Sequence, residues 1–88
     1  MNVRYFAAAR AAAGLEEERF DLPAGATVAD LLDAVVAVER VSPPAGTPPL
    51  PRILGRSSFL LNEVAVRDHG TVLGADDVID VLPPFAGG

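Results

Sequence analysis

The sequence has no cysteine and no lysine. Without cysteine there are no disulfides, no thiolate nucleophile and no cysteine-ligated metal. A single histidine, His69, is too little for a conventional metal cluster. Beside Gly70 it reads as an ordinary turn residue. Long hydrophobic runs are also missing. The longest candidate, "LLDAVVAV", falls well short of the ~18 apolar residues of a membrane helix. No basic segment precedes an apolar one at the N-terminus, so no signal peptide is read there. The expectation is a soluble cytoplasmic protein without membrane contact.

All seven positive side chains are arginines: Arg4, Arg10, Arg19, Arg40, Arg52, Arg56 and Arg67. Together with abundant Ala, Gly and Pro, this is the usage of a GC-rich genome. Whatever its origin, it leaves the Met1 amine as the one group able to form an amide on this chain. The net charge of −5 argues against a nucleic-acid partner, whose phosphates need a basic surface. It favours a partner with a basic face. The 88 residues make one domain, and the hydrophobic half of them is enough for a small core.

Along the chain, "NVRYF" (2–6) reads as a strand and "AAARAAAG" as one or two helical turns stopped by Gly14. "EEERFDL" alternates, with Glu18, Phe20 and Leu22 on one side, and reads as a second strand antiparallel to the first. Glu16 to Glu18 read as a solvated edge. "PAGATVADLLDAVVAVE" is the clearest helix. Thr27 is its N-cap and Asp30 completes a capping box. Val28, Leu31, Leu32, Val35 and Val38 or Glu39 form its apolar face. Residues 42–51 carry five prolines and read as a stiff connecting loop, neither helix nor central strand. "RILGR" can form one turn. "SFLL" and "VAV" read as strands around a tight turn at Asn62 and Glu63, and "VIDVL" is the last strand.

The order β, β, α, loop, β, β, β points to an α+β fold, a mixed sheet packed on one main helix. Alternation links the faces: suppose Val3, Tyr5, Ile79 and Val81 turn toward the helix. Arg4, Phe6, Asp80 and Leu82 then face out. If the first and last strands are neighbours, Phe6 and Leu82 share an apolar patch and Arg4 can pair with Asp80. Such a patch suits docking.

Internal chemistry is sparse. Ser42, Ser57 and Ser58 have no relay beyond His69, Asp76 and Asp77 read as turn carboxylates, and no phosphate-binding glycine motif is present. The terminus "VLPPFAGG" stands out. Its α-carboxylate is a poor electrophile until ATP converts it to an acyl-adenylate, from which a sulfur nucleophile can displace AMP to leave a thiocarboxylate. Glycine has no Cβ to block a narrow channel. Pro83 and Pro84 hold the end off the sheet. Six residues, Pro83 to Gly88, reach roughly 20 Å when extended.

The sequence resembles the small, ubiquitin-like sulfur-carrier subunit of molybdopterin synthase, in the wider family that includes the thiamine sulfur carrier. The matching stretches are "VRYFAAARAAAG", "LPAGATVADLLDAV", "LLNEVAVRD" and "DDVIDVLPPFAGG". They leave out residues 40–56. The terminal P-P-x-x-G-G and the F-A-x-x-R-x-x-x-G run from Phe6 through Arg10 to Gly14 are the most specific parts. The family's Gly-Asp before the last strand is Ala75-Asp76 here, leaving Gly74 to supply the turn.

The resemblance implies a β-grasp domain over residues 1–82 with its first and last strands parallel, followed by an extended flexible tail, 83–88. It implies that Gly88 is adenylated by an E1-like enzyme using ATP and magnesium and receives sulfur from a sulfur-donating enzyme. The resulting thiocarboxylate enters the active site of the large catalytic subunit, in a heterotetramer, and gives sulfur to cyclic pyranopterin monophosphate. Pro83, Pro84, Phe85, Ala86 and Gly87 insert; Phe6, Ala65 and Leu82 dock. The protein is then no enzyme by itself and holds no permanent cofactor. Three alternatives stay open: a sibling carrier for thiamine, cysteine or a secondary metabolite; a ubiquitin-like modifier of target lysines; and a plain binding module.

Overall fold

The computed structural model describes residues 1–84. The chain runs β1 (Asn2–Tyr5), α1 (Ala7–Ala13), β2 (Glu17–Arg19), α2 (Val28–Ala37), α3 (Leu50–Leu54), β3 (Ser58–Leu61), β4 (Val64–Val66) and β5 (Val78–Leu82). The strands form one mixed sheet in the order β2-β1-β5-β3-β4. β1 and β5 are parallel neighbours, and the other pairs are antiparallel. Two hairpins joined by a crossing helix, with first and last strands side by side, are the β-grasp arrangement.

Strand alternation assigns the faces as expected. Val3, Ile79 and Val81 are fully buried, and Tyr5 and Phe59 nearly so. α2 covers this face with Val28, Leu31 and Val35. Each such side chain contributes about 1.5–3 kcal/mol on leaving water. The small residues Ala9, Ala12 and Ala13 let α1 sit close to the core. Leu50, Ile53 and Leu54 of α3 close it from the far side. The capping box is present in both directions: Asp30 N–H donates to Thr27 Oγ1 at 3.2 Å, and Thr27 N–H donates to Asp30 Oδ2 at 2.9 Å. Asn62 and Glu63 both take positive φ, 49° and 71°, closing the β3–β4 hairpin. Gly74 does supply the turn before β5: its N–H donates to Asp77 Oδ2 at 2.7 Å, and its carbonyl accepts from Asp77 N–H.

Three expectations need correction. α2 ends at Ala37, so Val38 and Glu39 lie beyond its apolar face. Arg40 reaches back and donates to the Val35 carbonyl at 3.0 Å, satisfying an acceptor that the next turn would have used. The proline loop, expected over 42–51, stops at Pro49, because Leu50 and Pro51 open α3. Proline at the first helical turn loses no hydrogen bond and has its φ preset. Glu18 is not a solvated edge residue. It pairs with Val3 in the β1–β2 register, accepts from the buried Tyr5 hydroxyl at 2.7 Å, and is clamped by Arg40 at 2.7 Å.

Candidate functional site: the outer sheet face and the root of the tail

β5 is the middle strand of the sheet, so the chain's last residues leave from its centre. Pro83 follows Leu82 directly and, with Pro84, cannot donate to a ladder, which ends the strand. Pro83 and Pro84 form one wall of a groove of about 340 Å³, completed by Ala8, Pro48, Ile53 and two arginines, Arg52 and Arg56. Phe85, Ala86, Gly87 and Gly88 lie outside the described residues.

The outer face carries the remaining expected residues. Tyr5 is opposite Val81 in the parallel register, which brings Phe6 and Leu82 to the end of the same strand pair. Phe6 is 40% exposed and Leu82 half-buried. Ala7, just after Phe6, takes φ 49°, a left-handed conformation uncommon for a residue with a Cβ. That bend turns the chain from β1 into α1. Ala65 is exposed on β4 opposite Leu60, which is opposite Asp80. It shares the outer face but stands two strands from Leu82, with β3 between them.

The expected ion pair lies on the same face, across β1 and β5. Arg4 Nε donates to Asp80 Oδ1 at 2.5 Å and Arg4 Nη2 to Oδ2 at 2.7 Å, a two-pronged contact. Asp80 is only 4% exposed although it points away from α2, because the guanidinium covers it. The same bond raises the Arg4 pKa above its ordinary value.

A second cluster was missed in the sequence. Arg40 lies 5.8 Å over the Tyr5 ring, donates to both Glu18 oxygens and to the Ala13 carbonyl, and ties α2, α1 and β2 together. The alternation that placed Glu18 beside Phe20 was the available signal. Burial, then the bond to Glu18, pushes the Tyr5 hydroxyl above its usual range. The serines and turn carboxylates assemble no catalytic set. Ser57 donates to the Ile53 carbonyl, and Asp77 is held below the usual carboxylate range by the Gly74 N–H and by Asn62. No group of acidic, histidine or cysteine side chains suited to a metal occurs among the described residues. No helix among them is long and apolar enough to cross a membrane.

The sequence profile of the ThiS family matches residues 3–88. The chain belongs to the ThiS family. A curated relative, the molybdopterin synthase sulfur carrier subunit of Chlamydomonas reinhardtii, is 33% identical, with 100% of this chain and 98% of the relative aligned. Among solved structures, the small archaeal modifier protein SAMP1 of Haloferax volcanii superposes with a TM-score of 0.78 at 30% identity, covering 100% of this chain and 98% of that one. Subunits 1 and 2 of the Helicobacter pylori molybdopterin-converting factor have been solved as a complex. It matches with a TM-score of 0.62 at 26% identity, over 99% of this chain and 96% of that one. For this ThiS-family chain the match runs through residues 85–88 as well as the β-grasp body, so the resemblance in the terminal motif and the fold come from one relationship.

Proposed function

We propose that the protein is a sulfur carrier for molybdopterin synthesis, the small partner of a catalytic subunit rather than an enzyme by itself. Gly88 is its chemical group. An E1-like enzyme transfers AMP from ATP to the Gly88 carboxylate, releasing pyrophosphate. A sulfur donor displaces AMP, and the thiocarboxylate is presented to the large subunit. The observation that supports this best is the exit of a Pro-Pro-x-x-Gly-Gly end from the central strand of the sheet, in a chain aligned over its whole length with a molybdopterin synthase sulfur carrier subunit. A central strand is the stiffest platform in the sheet, and six residues beyond it reach roughly 20 Å into a partner. The outer face with Phe6, Leu82 and Ala65 is where the large subunit docks, and the complex solved for the Helicobacter pylori subunits supports a partner of that kind.

The test is reconstitution. The chain is charged with sulfur by the cognate activating enzyme, ATP and a sulfur donor, then mixed with the large subunit and cyclic pyranopterin monophosphate. Formation of molybdopterin, absent for a Gly88-deleted chain, is the expected result. Sulfur charging without molybdopterin would move the protein to a sibling carrier pathway. The likeness to SAMP1 supports one second reading, a modifier that forms amides with target lysines through the same activated Gly88. High-mass amide conjugates in place of a thiocarboxylate would decide for it.

A further inference from the structure

An activated glycine carbonyl is open to any amine within reach. The nitrogen attacks the carbonyl, a C–N bond forms, the C–O bond to AMP breaks, AMP leaves with the electron pair, and the ammonium proton passes to water. A tethered amine competes at millimolar effective concentration. The chain itself is therefore the first competitor for its own activated end.

Among the groups that would form a lasting amide or thioester, the sequence and the structure leave none free. The sequence holds no thiol and no lysine amine. The one remaining amine, on Met1, donates to the Phe20 carbonyl at 2.8 Å and to the Ala75 carbonyl at 2.8 Å. Met1 as a whole is 4% exposed, so the nitrogen is held inward between the ends of β2 and β5. The Tyr5 hydroxyl, the single phenol, is buried against Glu18. Among the described residues, Arg4, Arg10, Arg19 and Arg40 are ion-paired, while Arg52, Arg56 and Arg67 make no ion pair. Two of those three, Arg52 and Arg56, line the groove with Pro83 and Pro84. The cations at the root of the tail are thus guanidiniums. A delocalised guanidinium is not a nucleophile, whereas a lysine supplies a fraction of free amine.

We propose that this chain is built so that its activated C-terminus cannot form an amide or thioester with itself or with a second copy. The acyl group passes only to a nucleophile brought by another molecule, a sulfur donor or a foreign amine. If the protein is also a modifier, it attaches singly and builds no chains of itself. The inference rests on Gly88 being the activated end.

The experiment uses the full 88-residue chain carrying a chemically installed thioester at Gly88, so it needs no activating enzyme and is read independently of whether one acts on this protein. Intact mass and peptide mapping follow the chain at mildly alkaline pH, alone and with hydroxylamine. The unaltered chain is expected to hydrolyse without a Met1–Gly88 amide, and to convert fully to the hydroxamate with hydroxylamine. The Arg52→Lys/Arg56→Lys chain, checked for folding by circular dichroism, is expected to give self-linked amide roughly tenfold or more above the unaltered chain, because four residues past Pro84 span about 13 Å. A Met1–Gly88 amide in the unaltered chain, or a lysine variant no more self-linked than the parent, would overturn the proposal.

Discussion

Arg4 and Asp80 face each other across the parallel β1–β5 ladder, joined by hydrogen bonds of 2.5 and 2.7 Å on the sheet face opposite α2. The two ends of this pair are unequal. Asp80 is buried, while the Arg4 side chain keeps 40% of its exposure. Replacing Arg4 with leucine leaves the Asp80 carboxylate under an apolar side chain without its charged partner; removing Asp80 leaves a guanidinium that water can reach. Arg4→Leu is therefore expected to lower Tm more than Asp80→Leu. Equal losses in thermal melts would show that the carboxylate is not sealed.

The Tyr5–Glu18–Arg40 cluster sets the alkaline limit of stability. The folded state raises the Tyr5 pKa above the unfolded value of about 10, so it holds the phenolic proton more tightly. That contribution is complete below pH ~10 and is lost as pH climbs past it. Thermal melts are expected to hold their Tm up to that point and fall beyond it, and Tyr5→Phe should flatten the fall. A Tyr5→Phe chain with the same alkaline fall as the parent would assign it elsewhere. Glu18→Ala is expected to cost about 1–3 kcal/mol in denaturant unfolding, since two buried partners lose their acceptor.

Capping of α2 is a local matter. Thr27→Ala removes the acceptor for Asp30 N–H and should cost about 1 kcal/mol, while Thr27→Ser should cost little. Leu31→Ala, at a fully buried position of the same helix, should cost about 2–5 kcal/mol. Urea unfolding that ranks the two variants in the reverse order would contradict the packing described.

Docking and folding are separable on the outer face. Phe6→Asp, Leu82→Asp and Ala65→Asp are expected to weaken association with the large subunit at least about tenfold in titration calorimetry, equivalent to about 1.4 kcal/mol. Tm should move little for Phe6 and Ala65, which are exposed. Variants that bind normally would place the interface elsewhere.

Much of this was legible in the residues. Period-two alternation placed Val3, Tyr5, Ile79 and Val81 inside and Phe6 outside, because one side of each strand has a core to fill. The Thr27–Asp30 box and the Asn62–Glu63 turn are local chemistry, readable from neighbours alone. What was lost depends on distant partners. Glu18 is held by Arg40, 22 residues away, and nothing within "EEE" itself marks its third member as the one that turns inward; only the alternation with Phe20 hints at it. The end of α2 depends on the same arginine. Pro51 was read as a helix breaker when its place in the first turn of α3 makes it a helix starter. The groove beside Pro83 and Pro84 needs α3 folded against α1, a contact no local pattern announces.

The central claim concerns one carboxylate. Incubating the chain with its activating enzyme, ATP and a sulfur donor, and measuring intact mass, tests it most directly. The account expects one oxygen replaced by sulfur, mapped to Gly88 and absent when Gly88 is deleted. An unchanged mass, with an enzyme shown to be active on another carrier, would contradict it.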